Sequence, residues 1–195
     1  MPSFSQITAL ATVVLAAFTT AAPVARDAAS DLLPLPAVFQ SLLSELTPVA
    51  AELSSIVSSN ATAEVVGPLT GEIQSILTGG VAQISALAGA PLSTILSTAD
   101  GVIDATGAAQ LLAPVLTIVF SATQDVLNVV DNSPAAAVIT PLLNEAIGAL
   151  NPVLSTAAPL VNGLFAALGP LIGPLVNTLD GLGLAPVVGL LGSII

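Results

Sequence analysis

The sequence predicts an all-α protein, a multi-helix bundle of short amphipathic helices that begin at prolines, with a very apolar carboxyl-terminal half. Hydrophobic residues make up 54% of the 195 residues and recur at spacings of three and four, which places them on one face of a helix. Strict alternation of apolar and polar residues is rare, and proline and alanine are frequent, which disfavours strands. Because cysteine is absent, hydrophobic burial alone must hold the fold.

Residues 1–22 have the layout of a secretory signal peptide, with an apolar segment followed by small residues. We expect cleavage near Ala21 or Ala22, which predicts a secreted protein of the extracellular space or cell wall. A membrane anchor is the alternative, but the apolar segment is shorter than the roughly 20 residues that a span needs. Residues 23–36 are expected to form an extended entry segment, because Pro34 and Pro36 do not fit a helix interior. Arg26 leaves open a second cleavage.

A single domain is expected from residue 37 to residue 195, with two halves of different character. Eight of the twelve acidic residues lie between residues 27 and 104, and four lie between residues 105 and 195. We therefore expect an acidic amphipathic half, residues 37–104, and an apolar half, residues 105–195. Such a division would give the whole molecule a polar end and an apolar end.

Prolines punctuate the acidic half at intervals of about 20 residues, and each interval can hold a short helix and a turn. The first apolar face of the domain is divided by Pro48, which is expected to start a second helix with Thr47 as its N-cap. Residues 92–104 show another apolar face. As a helix, they would place Asp100 and Asp104 one turn apart.

The apolar half is expected to contain the longest helix, residues 108–130, interrupted or kinked at Pro114. Its residues 111–120 are apolar nearly all round, as in a buried central helix. Residues 146–178 carry no charge at all. We expect more apolar surface here than a small bundle can hide, so that some is exposed or lines a cavity. The candidates for that surface or cavity are Leu111, Leu112, Val115, Leu116, Val119, Phe120, Leu160, Leu164, Phe165, Leu168, Leu171, Ile172 and Leu175.

Charge and residue content exclude several function classes. A net charge of −11, with one arginine and no lysine or histidine, excludes nucleic acid as a partner. Without histidine, cysteine or lysine, the chain cannot build Ser–His or Cys–His nucleophiles, nor zinc, haem or Schiff-base sites. Paired acids such as Asp100 and Asp104 can in principle bind calcium or hydrolyse glycosides, but no calcium-loop pattern or aromatic sugar platform accompanies them. We expect no enzyme activity, cofactor or metal.

Asn60-Ala61-Thr62 is an N-glycosylation sequon, and beside a secretory leader it predicts a glycan on Asn60. The apolar carboxyl-terminal run has three interpretations: a bundle core, a transmembrane span, or a lipid-anchor signal with its small residues at 177–181. Its many prolines and glycines and its lack of flanking basic residues weigh against a span. The missing polar spacer weighs against an anchor signal.

The leader, the Ala22-Pro23 start, the lack of cysteine and the polar-then-apolar layout resemble certain secreted proteins of mushroom-forming fungi. These are the cysteine-free hydrophobic proteins that coat aerial hyphae and can stand in for hydrophobins. The helical pattern is also similar to that of fungal hydrophobic-surface-binding and galactomannoprotein-type secreted proteins. The expected function is a non-enzymatic amphiphile that coats cell-wall or air–water surfaces, with apolar surfaces, cell wall or lipid as partners and with self-association. The alternative is an extracellular lipid or fatty-acid carrier with an apolar cavity.

Overall fold

The computed structural model describes residues 32–131 and 133–181, with side-chain environments up to residue 173. The expected signal peptide, Arg26 and the tail at residues 182–195 lie outside the described residues. The elements in chain order are α1 (Leu35–Ser54), α2 (Ala63–Ala86), α3 (Leu92–Ile95), β1 (Ser97–Thr98), β2 (Gly101–Val102), α4 (Ala105–Val130), α5 (Ala136–Gly148), α6 (Leu150–Ala157), a 3₁₀ turn (Ala158–Leu160) and α7 (Leu164–Gly181). The all-α, multi-helix prediction is confirmed.

The helices pack around α4, which contacts α1, α5 and α7. α2 packs against α1 on one side and against α5 and α6 on the other, so that α1, α2, α5 and α4 close into a bundle. One hydrophobic core fills it, and its largest fully buried side chains include Phe39 of α1, Ile73 of α2, Phe120 of α4 and Ile139 of α5. Both halves of the sequence therefore contribute to the same core.

In α1, α2, α4 and α5, four prolines lie inside the helices and not at their starts. They are Pro48 in α1, Pro68 in α2, Pro114 in α4 and Pro141 in α5. The expected helix start at Pro48 is therefore wrong, and Thr47 does not act as an N-cap; its hydroxyl donates to the carbonyl of Leu43 within α1. All four prolines are exposed, and so are the residues four positions earlier, whose carbonyls lack a helical N–H partner. Water can bind those carbonyls, which lowers the cost of each proline.

The helix expected over residues 92–104 is also wrong. α3 ends at Ile95, and a short antiparallel hairpin follows, with Thr98 paired to Gly101. Gly101 has a φ of +132°, which glycine adopts without the steric cost that a Cβ would add. The Thr98 hydroxyl donates to the Gly101 carbonyl at 2.8 Å, so the turn has its own hydrogen bond.

The extended entry segment expected over residues 23–36 is wrong at its end, because residues 35 and 36 already belong to a helix. α1 begins at Leu35, with Pro36 in its first turn, where a missing N–H costs little. Two described segments, Ala105–Val130 and Ala136–Leu160, are long and apolar enough to cross a membrane by length and composition. The central helix of a folded bundle has the same properties, so this is weak evidence for a span.

Candidate functional site

The helix that organises the site, α4, begins at a defined cap and runs unbroken for 26 residues. The carboxylate of Asp104 accepts a hydrogen bond from the Gly107 N–H at 2.8 Å, which satisfies one of the free donors at the helix start. A broad stripe of α4 is buried in the core. α1 and α7 both pack against α4, so the part of α4 that is not buried in the core lies next to these two helices.

An open apolar groove of about 610 Å³ runs along α4 from residue 110 to residue 121. Leu43 of α1 and Leu171 of α7 contribute to its walls, so three helices form the site. The α4 residues that line it are Gln110, Ala113, Pro114, Thr117, Ile118 and Ser121. Binding sites for small molecules typically have volumes of roughly 300–1,000 Å³, and the groove falls in that range.

The α4 residues of the groove share one face of the helix because they recur every three or four positions. From Gln110 to Ser121 the helix rises about 16 Å, at about 1.5 Å per residue. Leu43 and Leu171 add large apolar side chains from the neighbouring helices, and Leu171 is 42% exposed. The groove is therefore an elongated site and not a round pocket.

Among the described lining residues none is charged, and the polar groups come from three of them, Gln110, Thr117 and Ser121. The Thr117 hydroxyl donates to the Ala113 carbonyl at 2.8 Å, so its proton is already used. Pro114 has no N–H, and the Gln110 carbonyl therefore lacks the donor that a helix normally supplies four residues later. The groove can bind an apolar chain and hydrogen-bond a neutral polar end, and it holds no acid–base pair for catalysis.

Most of the residues predicted to form an apolar surface or cavity belong to the core. The buried ones are Leu112, Val115, Leu116, Val119, Phe120, Leu164, Leu168 and Ile172. Leu111, Leu160 and Phe165 are half-buried and pack against the core. Of the set, Leu171 lines the groove, and the environment of Leu175 lies outside the described side chains.

Sequence reasoning missed the other groove residues because it searched for bulky apolar side chains. The groove exists where α4 carries small or polar ones, such as Ala113, Thr117 and Ser121, beside the large side chains of the core stripe. A stripe of small residues on an otherwise bulky helix is the signal that was available. The participation of Leu43, far away in the sequence, depends on how α1 packs.

Two smaller hollows have mixed linings. One, of about 390 Å³, lies between the segment that follows α2 and the 3₁₀ turn, and it includes Leu92, Leu160 and Asn162. The other, of about 170 Å³, lies between α1 and α2 beside the 2.9 Å hydrogen bond from Ser41 to Glu45. Because polar groups form about half or more of each lining, the groove along α4 is the better candidate for an apolar ligand.

The acidic residues do not assemble into a site within the described chain. Asp100 lies in the hairpin turn and Asp104 caps α4, so they do not share a helical face as the sequence suggested. In the stretches 32–131 and 133–181, no cluster of three or more potential ligand side chains is placed to hold a metal ion.

Asn60 lies in the exposed connection between α1 and α2. Its side-chain oxygen accepts a hydrogen bond from the Val57 N–H at 2.8 Å, which anchors the amide while its nitrogen stays available. A glycan is attached through that nitrogen, so the geometry is compatible with the predicted modification. Glycosylation of Asn60 stays a prediction.

Comparisons of the chain with protein-family models, with curated proteins and with solved structures find no match. The function must therefore be argued from the groove and the sequence themselves.

Proposed function

We propose that this protein is a non-enzymatic, secreted carrier that binds a lipid-like apolar chain in the groove along α4. The observation that supports the proposal is the groove itself, which has a volume of about 610 Å³ and is walled by Leu43, Ile118 and Leu171, with no charged side chain among its described lining residues. Transfer of an apolar chain from water into such a site is favourable in proportion to the area buried.

The tight packing of the rest of the domain favours a local site over a generally adhesive surface. Most large apolar side chains of residues 105–173 are buried, and the exposed exceptions in that range are Val138 and Leu171. One of these two residues, Leu171, lies in the groove where a ligand would bind, and the other, Val138, lies on α5 outside it.

Surface coating, the function expected from the resemblance to fungal proteins, is the second candidate. The observation that favours it is a set of large apolar side chains on the outside of the domain, spread over several elements: Leu33, Val57, Val65, Leu92, Val102, Val138 and Leu171. A coat would use these residues together at an air–water or cell-wall interface. The signal-peptide layout of residues 1–22 and the sequon at Asn60 support an extracellular setting for either function.

The carrier proposal is tested by titrating the purified protein with Nile red, an uncharged dye that fluoresces in apolar sites. We expect saturable binding of one dye per monomer. Ala113→Phe places a bulky ring in the middle of the groove and should weaken binding at least tenfold. Ala82→Phe, the same change at an exposed helical alanine of α2 outside the groove, serves as the matched control and should bind like the unmodified protein.

Two results would contradict the proposal. One is dye uptake that rises without saturation, and the other is equal binding by the Ala113→Phe and Ala82→Phe variants when both remain folded. If the same samples lower surface tension strongly, the coating function takes precedence.

A further inference from the structure

We infer that the groove selects an uncharged amphiphile, a single alkyl chain with a hydroxyl-bearing head group such as a fatty alcohol or monoacylglycerol, over a fatty-acid carboxylate. The inference rests on the proposed carrier function and narrows its ligand class. It departs from the fatty-acid carrier that the sequence alone suggested.

The first argument is charge. A bound carboxylate is stabilised by a nearby cation, but no basic side chain lies in the groove or in any other described part of the chain. The one basic residue, Arg26, is outside the described residues, and the net charge is −11. A carboxylate would therefore approach a surface of like charge without a partner at the site.

The second argument is the balance of hydrogen-bond donors and acceptors. The groove offers the Gln110 main-chain carbonyl, left without its helical donor by Pro114, and the Thr117 hydroxyl oxygen, whose proton is given to Ala113. A ligand hydroxyl can donate to either, and it can accept from the Gln110 amide or the Ser121 hydroxyl. An ionised carboxylate only accepts, so it cannot use the two free acceptors.

The third argument is length. The groove face from Gln110 to Ser121 spans about 16 Å at the helical rise, and half of a bilayer's hydrocarbon core is about 15 Å thick. One lipid chain therefore matches the groove in length. Most of the lining residues lie on one face of α4 and none on a broad concave sheet. A chain of about this length fits with its head group at either polar end, Gln110 or Ser121.

The inference is tested by displacing Nile red with dodecanol and with dodecanoate at pH 8, below their aggregation concentrations. We expect dodecanol to bind about tenfold more tightly. Equal affinities, or a preference for dodecanoate, would overturn the inference and leave the carrier function standing. If neither compound displaces the dye and the dye itself does not saturate, the carrier function fails and the inference fails with it.

Two lysine variants test whether the preference for an uncharged ligand arises at the groove. Gln110→Lys adds a cation at the groove, and we expect it to raise the affinity for dodecanoate about tenfold relative to the affinity for dodecanol. Asn128→Lys changes the net charge equally on an exposed position of the same helix that does not line the groove. A similar gain of dodecanoate binding in both variants would show that the overall charge sets the preference, and would overturn the assignment of selectivity to the groove.

Discussion

Within the described residues, the acidic half and the apolar half of the chain differ less in the number of large apolar side chains that they expose than in where their helices lie in the bundle. Among the described side chains, the exposed large apolar residues of the acidic half are Val57, Val65, Leu92 and Val102, and those of the apolar half are Val138 and Leu171. The half with more charge therefore exposes more large apolar side chains than the described part of the apolar half, so the described residues do not show the polar end and apolar end that the sequence suggested.

The reason lies in the place of each helix in the bundle. α4 has α1, α5 and α7 as neighbours and needs little polar surface. α1 and α2 face solvent on one side, and their acids Glu45, Glu52, Glu64 and Glu72 are exposed there. The described part of the carboxyl-terminal half is apolar because it supplies much of the centre of the fold, and the groove along α4 is its better opening for an apolar ligand.

The largest effect should show that the two halves share one core. Phe39 of α1 and Phe120 of α4 are both almost completely buried. We expect Phe39→Ala and Phe120→Ala each to lower the free energy of unfolding by about 3–5 kcal/mol, because each removes a buried ring and leaves a cavity. Urea denaturation followed by circular dichroism measures both. A cost below about 1 kcal/mol for Phe39→Ala would mean that the acidic half is peripheral to the core.

A smaller effect tests how closely α1 and α2 approach. A Cβ added at Gly80 would lie 2.7 Å from a methyl carbon of the buried Leu42, whereas one added at Gly79 meets nothing within 4 Å. We expect Gly80→Ala to destabilise the protein by about 1–3 kcal/mol through overpacking. Gly79→Ala, on the exposed side of the same helix, should stabilise it by up to about 1 kcal/mol. Equal effects in thermal denaturation would contradict the contact.

The boundary between the halves offers the next comparison. Because Asp104 caps α4, Asp104→Ala should lower the free energy of unfolding by about 1 kcal/mol. Asp100 lies in the hairpin turn, and Asp100→Ala should change it by less than about 0.5 kcal/mol. If the two losses were equal, the region would behave as the single helix that the hydrophobic pattern suggested.

The smallest effect concerns the exposed apolar residues themselves. Leu92→Ser and Val138→Ser should each change the free energy of unfolding by less than about 0.5 kcal/mol, since both side chains are more than half exposed. Drop tensiometry of the same variants measures whether either residue contributes to surface activity. A large loss of stability in one variant would show that its side chain is packed.

The helical character of the chain could be predicted because apolar residues at spacings of three and four leave few alternatives. The body of α1 from Phe39 onward and the central helix α4 follow from that pattern, whereas the first turn of α1 was expected to be extended. The helix boundaries at prolines could not be predicted, because the cost of Pro48 or Pro114 depends on whether the freed carbonyl faces water. That is a property of the packed bundle and not of the local sequence.

The groove was harder to predict than the fold. From its residue type alone, a large apolar residue is predicted to be buried. This holds for Leu116, which lies in the core, but not for Leu171, which forms a groove wall. Two features distinguish the groove wall from the core. One is the small side chains of α4 in the groove, Ala113 and Thr117, and the other is the distance between α7 and α4. The first is visible in the sequence, and the second requires the tertiary structure.

The central claim is that an apolar chain binds along α4, and single tryptophans test it most directly. The chain has no Trp or Tyr, so Leu171→Trp creates a sole strong fluorophore in the groove wall, and Val138→Trp creates one on exposed α5 outside it. The ligand is 12-bromododecanol, whose bromine quenches tryptophan on contact. We predict saturable, one-to-one quenching of Leu171→Trp and none of Val138→Trp. Equal quenching of both variants, or quenching of neither, would contradict the account.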